Sequence, residues 1–164
     1  MDAVRNNSSE VTEDSYCGLY CGACEILVAY LKAESENRKA EWSELPTELT
    51  STMPEKEIRC LGCKSGTVFE GCLQCPIRPC ARDKQVDSCA DCDQYPCRII
   101  NEMKAIIEKI KQTKPHTTSI ISNLEEIREQ GKAAWMQQQK KLWTCPVCGA
   151  RLSWYRTECQ QCKP

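Results

Sequence analysis

The chain has 164 residues, 22 basic and 23 acidic side chains, and a net charge of −1. That length allows one medium domain or two small ones. The near-neutral balance argues against broad contact with nucleic-acid phosphates, and no run approaches the ~18 apolar residues of a membrane span. Fifteen residues are cysteine, a share at which a disulfide scaffold has to be told apart from a metal scaffold.

Metal is the better reading. The opening MDAVRNNSSEVTED is polar and lacks the apolar core of a secretory signal, so a cytoplasmic location is expected. A reducing cytosol keeps thiols free. Most of the cysteines are spaced C-x2-C, which suits chelation of one ion, and an odd count leaves one thiol over in any intramolecular disulfide scheme. Charge is uneven: acidic side chains outnumber basic ones two to one over residues 1–59, and the sign reverses beyond. Each zinc ion held by four thiolates adds about −2, so the loaded protein is expected to be acidic.

In chain order, residues 1–15 read as a disordered tail. The first cysteine group is Cys17, Cys21 and Cys24. The following stretch is rich in good helix formers. Ile26, Leu27, Tyr30 and Leu31 recur at helical spacing, with Trp42 and Leu45 extending the same side, so a helix is expected from Gly22 to Glu44, stopped by Pro46.

From Cys60 to Cys97 eight cysteines fall in under forty residues, with few large apolar side chains between them. Such a segment cannot bury enough carbon to fold alone, and thiolate–metal bonds are the natural substitute. It contains a repeat of C-x2-C-x3-P-C, at Cys72–Cys80 and Cys89–Cys97, which predicts two similar loops.

Two helical segments follow. Ile99, Met103, Ile106 and Ile110 mark the face of the first, widened by Ile100 and Ile107. Pro115 opens the second, whose stripe is Ile120, Leu124 and Ile127, with Trp135 further on and Gly131 as a break or kink. The two are expected to pack as an antiparallel hairpin, with the first predicted helix completing a three-helix core.

The end of the chain has Cys145-Pro-Val-Cys148-Gly, then Cys159-x2-Cys162 after ten residues. The spacing predicts a zinc ribbon, two metal knuckles on a short β-hairpin, with a strand over Arg151–Arg156. The expected fold is therefore mainly α with irregular cysteine-rich metal-binding loops. It comprises a helical domain over residues 16–142 and a β-hairpin zinc ribbon over 143–164.

Cys145, Cys148, Cys159 and Cys162 form one four-thiolate site. The simplest division of the centre takes Cys60, Cys63, Cys72 and Cys75 as a second and Cys80, Cys89, Cys92 and Cys97 as a third, with interleaved pairing equally allowed by spacing. Two or more Zn2+ ions are expected. Cys17, Cys21 and Cys24 are one ligand short. Their C-x3-C-x2-C spacing is that by which radical enzymes hold a [4Fe–4S] cluster, although no βα barrel is visible here. The alternatives are zinc completed by a central cysteine, by His116 or by water. No phosphate loop, serine elbow or carboxylate pair is present, so no catalytic residue is assigned. The expected role is a non-catalytic module that binds another protein. An iron–sulfur redox or cluster-handling protein is the alternative. Nucleic-acid binding through Arg151, Trp154, Tyr155, Arg156 and Lys163 is a third reading.

Cys17-Gly18-Leu19-x-Cys21-x-x-Cys24, Cys60-x-Gly62-Cys63, Cys75-x-Ile77-Arg78-x-Cys80-Ala81 and Cys89-x-x-Cys92-x-x-Tyr95-Pro96-Cys97 resemble a family of uncharacterised cysteine-rich prokaryotic proteins, domain of unknown function 3795, many of them from anaerobes. The likeness covers about residues 16–100, and the C-terminal ribbon looks like an extension that some members share. It implies a cytosolic metal-binding protein and carries over no catalytic residue.

Overall fold

The computed structural model describes residues 10–162 and is mainly helical. Its helices are α1 (Glu25–Ser35), α2 (Thr47–Thr50), α3 (Ile77–Asp83), α4 (Arg98–Ile110), α5 (Ser119–Gln130) and α6 (Lys132–Leu142). Three 3-10 turns begin or end on a cysteine: Cys21–Ala23, Glu70–Cys72 and Cys89–Asp91. Two more lie at Trp42–Glu44 and Pro115–Thr118. Among the described residues no helix is long and apolar enough to cross a membrane.

The first helix is shorter than its composition suggests. It starts after Cys24 and stops at Ser35, not Glu44. The cause is local. Asn37 takes a left-handed φ of 51°, which asparagine tolerates. The N–H groups of Asn37 and Arg38 then bond back to the carbonyls of Glu34 (3.1 Å) and Ala33 (3.0 Å), a Schellman closure with asparagine in place of glycine. Arg38 pairs with both Glu36 and Glu44, which folds the Trp42–Glu44 turn back onto the helix end.

The core divides in two. One cluster gathers Tyr20, Ala23, Ile77, Ile100, Ile107, Ile120, Leu124, Ile127 and Trp135. The other holds Ile26, Leu45, Leu49, Ile58, Cys60 and Phe69. The expected three-helix core is therefore not what forms, because Ile26 of α1 faces the second cluster. Nor is α4–α5 the main helix pair. The most extensive helix contact is α5 with α6, and α4 meets the Pro115–Thr118 turn. Gly131 (φ 84°) breaks the chain between α5 and α6, where the sequence placed a break or kink. On α4 the buried positions are Ile100 and Ile107, while Ile106 is 48% exposed. The seam runs one residue round from the expected stripe, through a seven-residue spacing.

The expected β-hairpin ribbon is overturned. Among the described residues there is no strand, and the C-terminal segment has two isolated bridges, Thr144–Arg151 and Ser153–Arg156. The reason is a chain reversal inside the expected strand. Ser153 and Arg156 exchange both backbone bonds (3.2 and 3.0 Å), so Trp154 and Tyr155 form a tight turn between them. The Trp154 N–H donates to the Ala23 carbonyl (3.0 Å) and the Tyr155 N–H to Glu25 Oε1 (2.8 Å), which ties that turn to the body. Residues 10–15 are also tied down: Thr12 N–H donates to the Leu61 carbonyl (2.7 Å), and Ser15 is buried. The rest of the expected tail, residues 1–9, lies outside the described residues.

Trp135 is fully buried and meets Tyr20 edge-on, with ring centroids 6.2 Å apart. Among the described residues its indole N–H finds no hydrogen-bond partner. Trp135→Ala is expected to lower unfolding free energy by about 3–5 kcal/mol. Trp135→Phe, which removes the unpartnered donor but keeps much of the ring, should cost clearly less. Denaturant titration of both variants checks the ordering.

Candidate metal centres

The C-terminal thiols meet as the spacing predicts. The sulfurs of Cys145, Cys148, Cys159 and Cys162 all lie within 4.8 Å of one another. Cys145 Sγ is 3.6 Å from Cys162 Sγ, and Cys148 Sγ is 3.4 Å from Cys159 Sγ. A tetrahedral ion with metal–sulfur bonds of about 2.3 Å needs sulfurs roughly 3.8 Å apart, so the group is close to that shape. Backbone N–H groups of Cys148 and Val147 point at Cys145 Sγ and hold that thiol below its ordinary range. Those of Cys162 and Gln161 do the same for Cys159, bringing it to about 6. The neighbouring sulfurs of Cys159 and Cys145 push Cys162 up to about 12. Four thiolates at this spacing cannot coexist without a cation, and a bound dication reverses that repulsion.

The centre is arranged differently. Cys17, Cys21, Cys24, Cys60, Cys63, Cys72 and Cys75 all line one cavity of about 330 Å³. The division by order along the chain placed the first three apart from the other four; the fold brings them together. Cys17 is pushed up to about 11, first by burial, with the charges of Cys63 and Cys75 adding to it. Burial likewise raises Cys21, with the charges of Cys63, Cys24 and Cys17 adding to it, and Cys24, to about 12, with Cys60 opposing. Cys72 is raised by burial and then by Cys24, Cys60, Cys63 and Cys75. The thiols of the first turn and of the central loops therefore oppose one another as one group.

The remaining set adjoins the cavity thiols. Cys89 is pushed up to about 12, first by burial, with the charges of Cys17, Cys97, Cys80 and Cys92 adding to it. Lys84 Nζ reaches Cys92 Sγ at 3.7 Å. The two repeats share one feature, an N–H bond across each C-x2-C: Cys75 to the Cys72 carbonyl and Cys92 to the Cys89 carbonyl, both 3.2 Å. They then diverge. Pro79 lies inside α3, whereas Pro96 follows a cis peptide bond and precedes α4. All fifteen cysteines are free thiols.

Two glycines let the segments around the cavity approach each other. At Gly62 (φ 108°) a Cβ would stand 1.9 Å from the Thr12 carbonyl oxygen. At Gly18 (φ 91°) it would stand 2.9 Å from the Ile120 carbonyl oxygen. Asn123 Nδ2 donates to the Gly18 carbonyl at 2.8 Å, fixing the first cysteine turn on α5. Lys64 pairs with Asp14 (2.5 Å) and Asp87 (2.8 Å), and Lys132 joins the same two carboxylates. This network lays residues 12–24 on the Cys60–Cys75 loop.

Several residues of the site were missed from the sequence. Ser15 Oγ is 3.3 Å from the nearby Cys17 Sγ, a contact that no motif marks, and the others have partners further along the chain. Arg78 donates to the Cys63 carbonyl at 3.0 Å. Buried Glu25 receives Tyr155 N–H. His116 stacks flat on Trp154, with centroids 4.3 Å apart, and its Nδ1 is 3.1 Å from Tyr155 Oη. Both rings of that stack line the thiol cavity. Two further side chains of the nucleic-acid reading are engaged within the chain: Arg151 pairs with Glu13 (2.6 Å), and Arg156 donates to the Glu44 carbonyl. Lys163 lies outside the described residues.

Fold and site together define a helical, cysteine-rich protein whose C-terminal thiols have the arrangement of a metal site. The chain belongs to the family described as Protein of unknown function (DUF3795), which matches residues 13–102. The matched span includes every cysteine from Cys17 to Cys97 and ends before the C-terminal group. No curated protein and no solved structure matches the chain.

Gly62→Ala is expected to unfold the Thr12–Leu61 contact, seen as new protease cleavage near residue 12. An unchanged digest would refute the close-approach argument. His116 titrates at about 4, below its ordinary 6.5, because of burial and then the charge of Lys114. The unfolded chain therefore takes up the proton first. This contribution to stability is full above the ordinary histidine range and is lost as pH falls toward about 4. Between pH 7 and 5 the wild type should lose more stability than His116→Phe, which carries the same thiols. Parallel acid titrations by tryptophan fluorescence measure the difference.

Proposed function

We propose that this is a non-catalytic metal–thiolate protein in which a zinc ion at Cys145, Cys148, Cys159 and Cys162 pins the C-terminal segment across the thiol cavity, and that its partner is another protein. The observation that carries this reading is the mutual approach of those four sulfurs. Four protein thiolates fill a tetrahedral zinc ion and leave no position for a substrate, so a site of this kind acts by holding structure. What it would hold is the Trp154–Tyr155 segment. Its backbone bonds to Ala23 and Glu25, and its indole lies on His116 at the cavity wall. Metal binding of this type contributes directly to folding free energy.

A protein partner is supported over nucleic acid by two features. Arg151, Trp154 and Arg156 are engaged within the chain, and each filled four-thiolate site adds about −2 to a chain that starts near neutral.

Native mass spectrometry of the wild type and of Cys148→Ser/Cys162→Ser tests the pin. Both cysteines are exposed, so their loss leaves the helical body in place. One zinc ion fewer is expected in the variant, with red-shifted tryptophan emission and unchanged far-UV circular dichroism. Equal zinc content in the two proteins would remove the reading.

A further inference from the structure

The seven thiols of the cavity pose a different chemical problem from the four of the C-terminal group. One ion can serve four sulfurs only when they close to about 3.8 Å of one another. The C-terminal group meets that condition, with every ligand sulfur within 4.8 Å of every other. Among the described residues no three cavity sulfurs do. They instead surround a chamber of about 330 Å³. Its walls include Leu27, Phe69, Ile120 and Trp154. Thiolates spread around such a space cannot share a single ion. They can each terminate a separate metal, provided that something other than protein bridges the metals. Inorganic sulfide does this in iron–sulfur clusters, where each of four cysteines ligates its own iron. Bridging zinc–thiolate clusters do not fit, because they need the close sulfur contacts that the cavity lacks.

The seven come from two stretches far apart along the chain, Cys17, Cys21 and Cys24 from the first turn and Cys60, Cys63, Cys72 and Cys75 from the central loops. The central four can supply the fourth ligand that C-x3-C-x2-C lacks when read alone.

We infer that the cavity is the site of an iron–sulfur cluster ligated by four of its seven cysteines, drawn from both stretches, with sulfide ions bridging its irons. Ser15 Oγ, 3.3 Å from Cys17 Sγ, and the Gly62 N–H, which donates to Cys60 Sγ at 3.3 Å, offer hydrogen bonds to cavity sulfurs, which adjust a cluster's potential. The His116–Trp154 stack keeps water from one side of the chamber. This inference does not rest on zinc at the C-terminal group.

The test uses the full chain purified without oxygen and reconstituted with ferric iron, excess small-molecule thiol as reductant, and sulfide. Brown protein is expected, with broad absorption near ~400 nm from thiolate-to-iron charge transfer, and with iron and acid-labile sulfide in about equal amounts. The Cys148→Ser/Cys162→Ser variant should keep the colour, and Cys60→Ser/Cys63→Ser/Cys72→Ser/Cys75→Ser, which leaves too few cavity thiols for four ligands, should lose it. Because the latter variant can fail to fold, alkylation of the wild type provides a second measurement. Four of the seven cavity cysteines, from both stretches, should be protected after reconstitution and should react once the iron is chelated. Colourless protein, or equal alkylation of all seven with and without iron and sulfide, would overturn the inference. So would full iron and sulfide retention in the fourfold variant.

Discussion

The structure depends on the burial of thiols that repel one another once ionised. Seven cysteines face one chamber, Cys80, Cys92 and Cys97 lie round Cys89, and four meet at the C-terminus. Burial by itself favours the neutral thiol, and each neighbouring thiolate adds to that preference. Cations of any kind reverse the balance, since they reward the anionic form that burial penalises. The apolar cores on either side are small and separate. They position the thiols but leave the space between the cores to them.

The chamber is assembled by contacts between distant segments. Residues 12–24 reach the Cys60–Cys75 loop through backbone bonds at Leu61, the Lys64 ion pairs, and a glycine at the one point where any side chain would collide with Thr12. The first turn is fixed to α5 by Asn123 and by the close approach at Gly18. The C-terminal segment closes the arrangement from another side. Trp154 joins the larger core, and Tyr155 packs on the smaller. A four-thiolate site that holds this segment would thus act at a distance on the chamber, through His116 and the Cys21–Ala23 turn.

The two kinds of thiol group suggest a division of roles by geometry. Close sulfurs on two knuckles near the surface suit one ion with no open position. Separated sulfurs in an apolar chamber suit several metal atoms with their own bridges. The third set, around Cys89, shares its knuckle hydrogen bond with the loop before it but not the course of the chain afterwards. Common spacing therefore produced a common turn and no further likeness, because the residues after each proline bury different faces.

Local chemistry was legible in the chain by itself. Cysteine pairs with two residues between them marked the knuckles, the C-terminal spacing marked four thiols that do meet, apolar periodicity placed α4 and α5, and a glycine marked the break at Gly131. These features depend on near neighbours. The tertiary structure decided what depends on distant ones. It ended α1 at Ser35, moved the α4 seam to Ile100 and Ile107, and left the C-terminal segment without a strand because the chain reverses at Trp154–Tyr155, a turn anchored on Ala23 and Glu25. It also merged Cys17, Cys21 and Cys24 with Cys60, Cys63, Cys72 and Cys75. Spacing along a chain says which thiols can share a turn; which turns share a chamber is set by the packing of residues some forty positions or more apart.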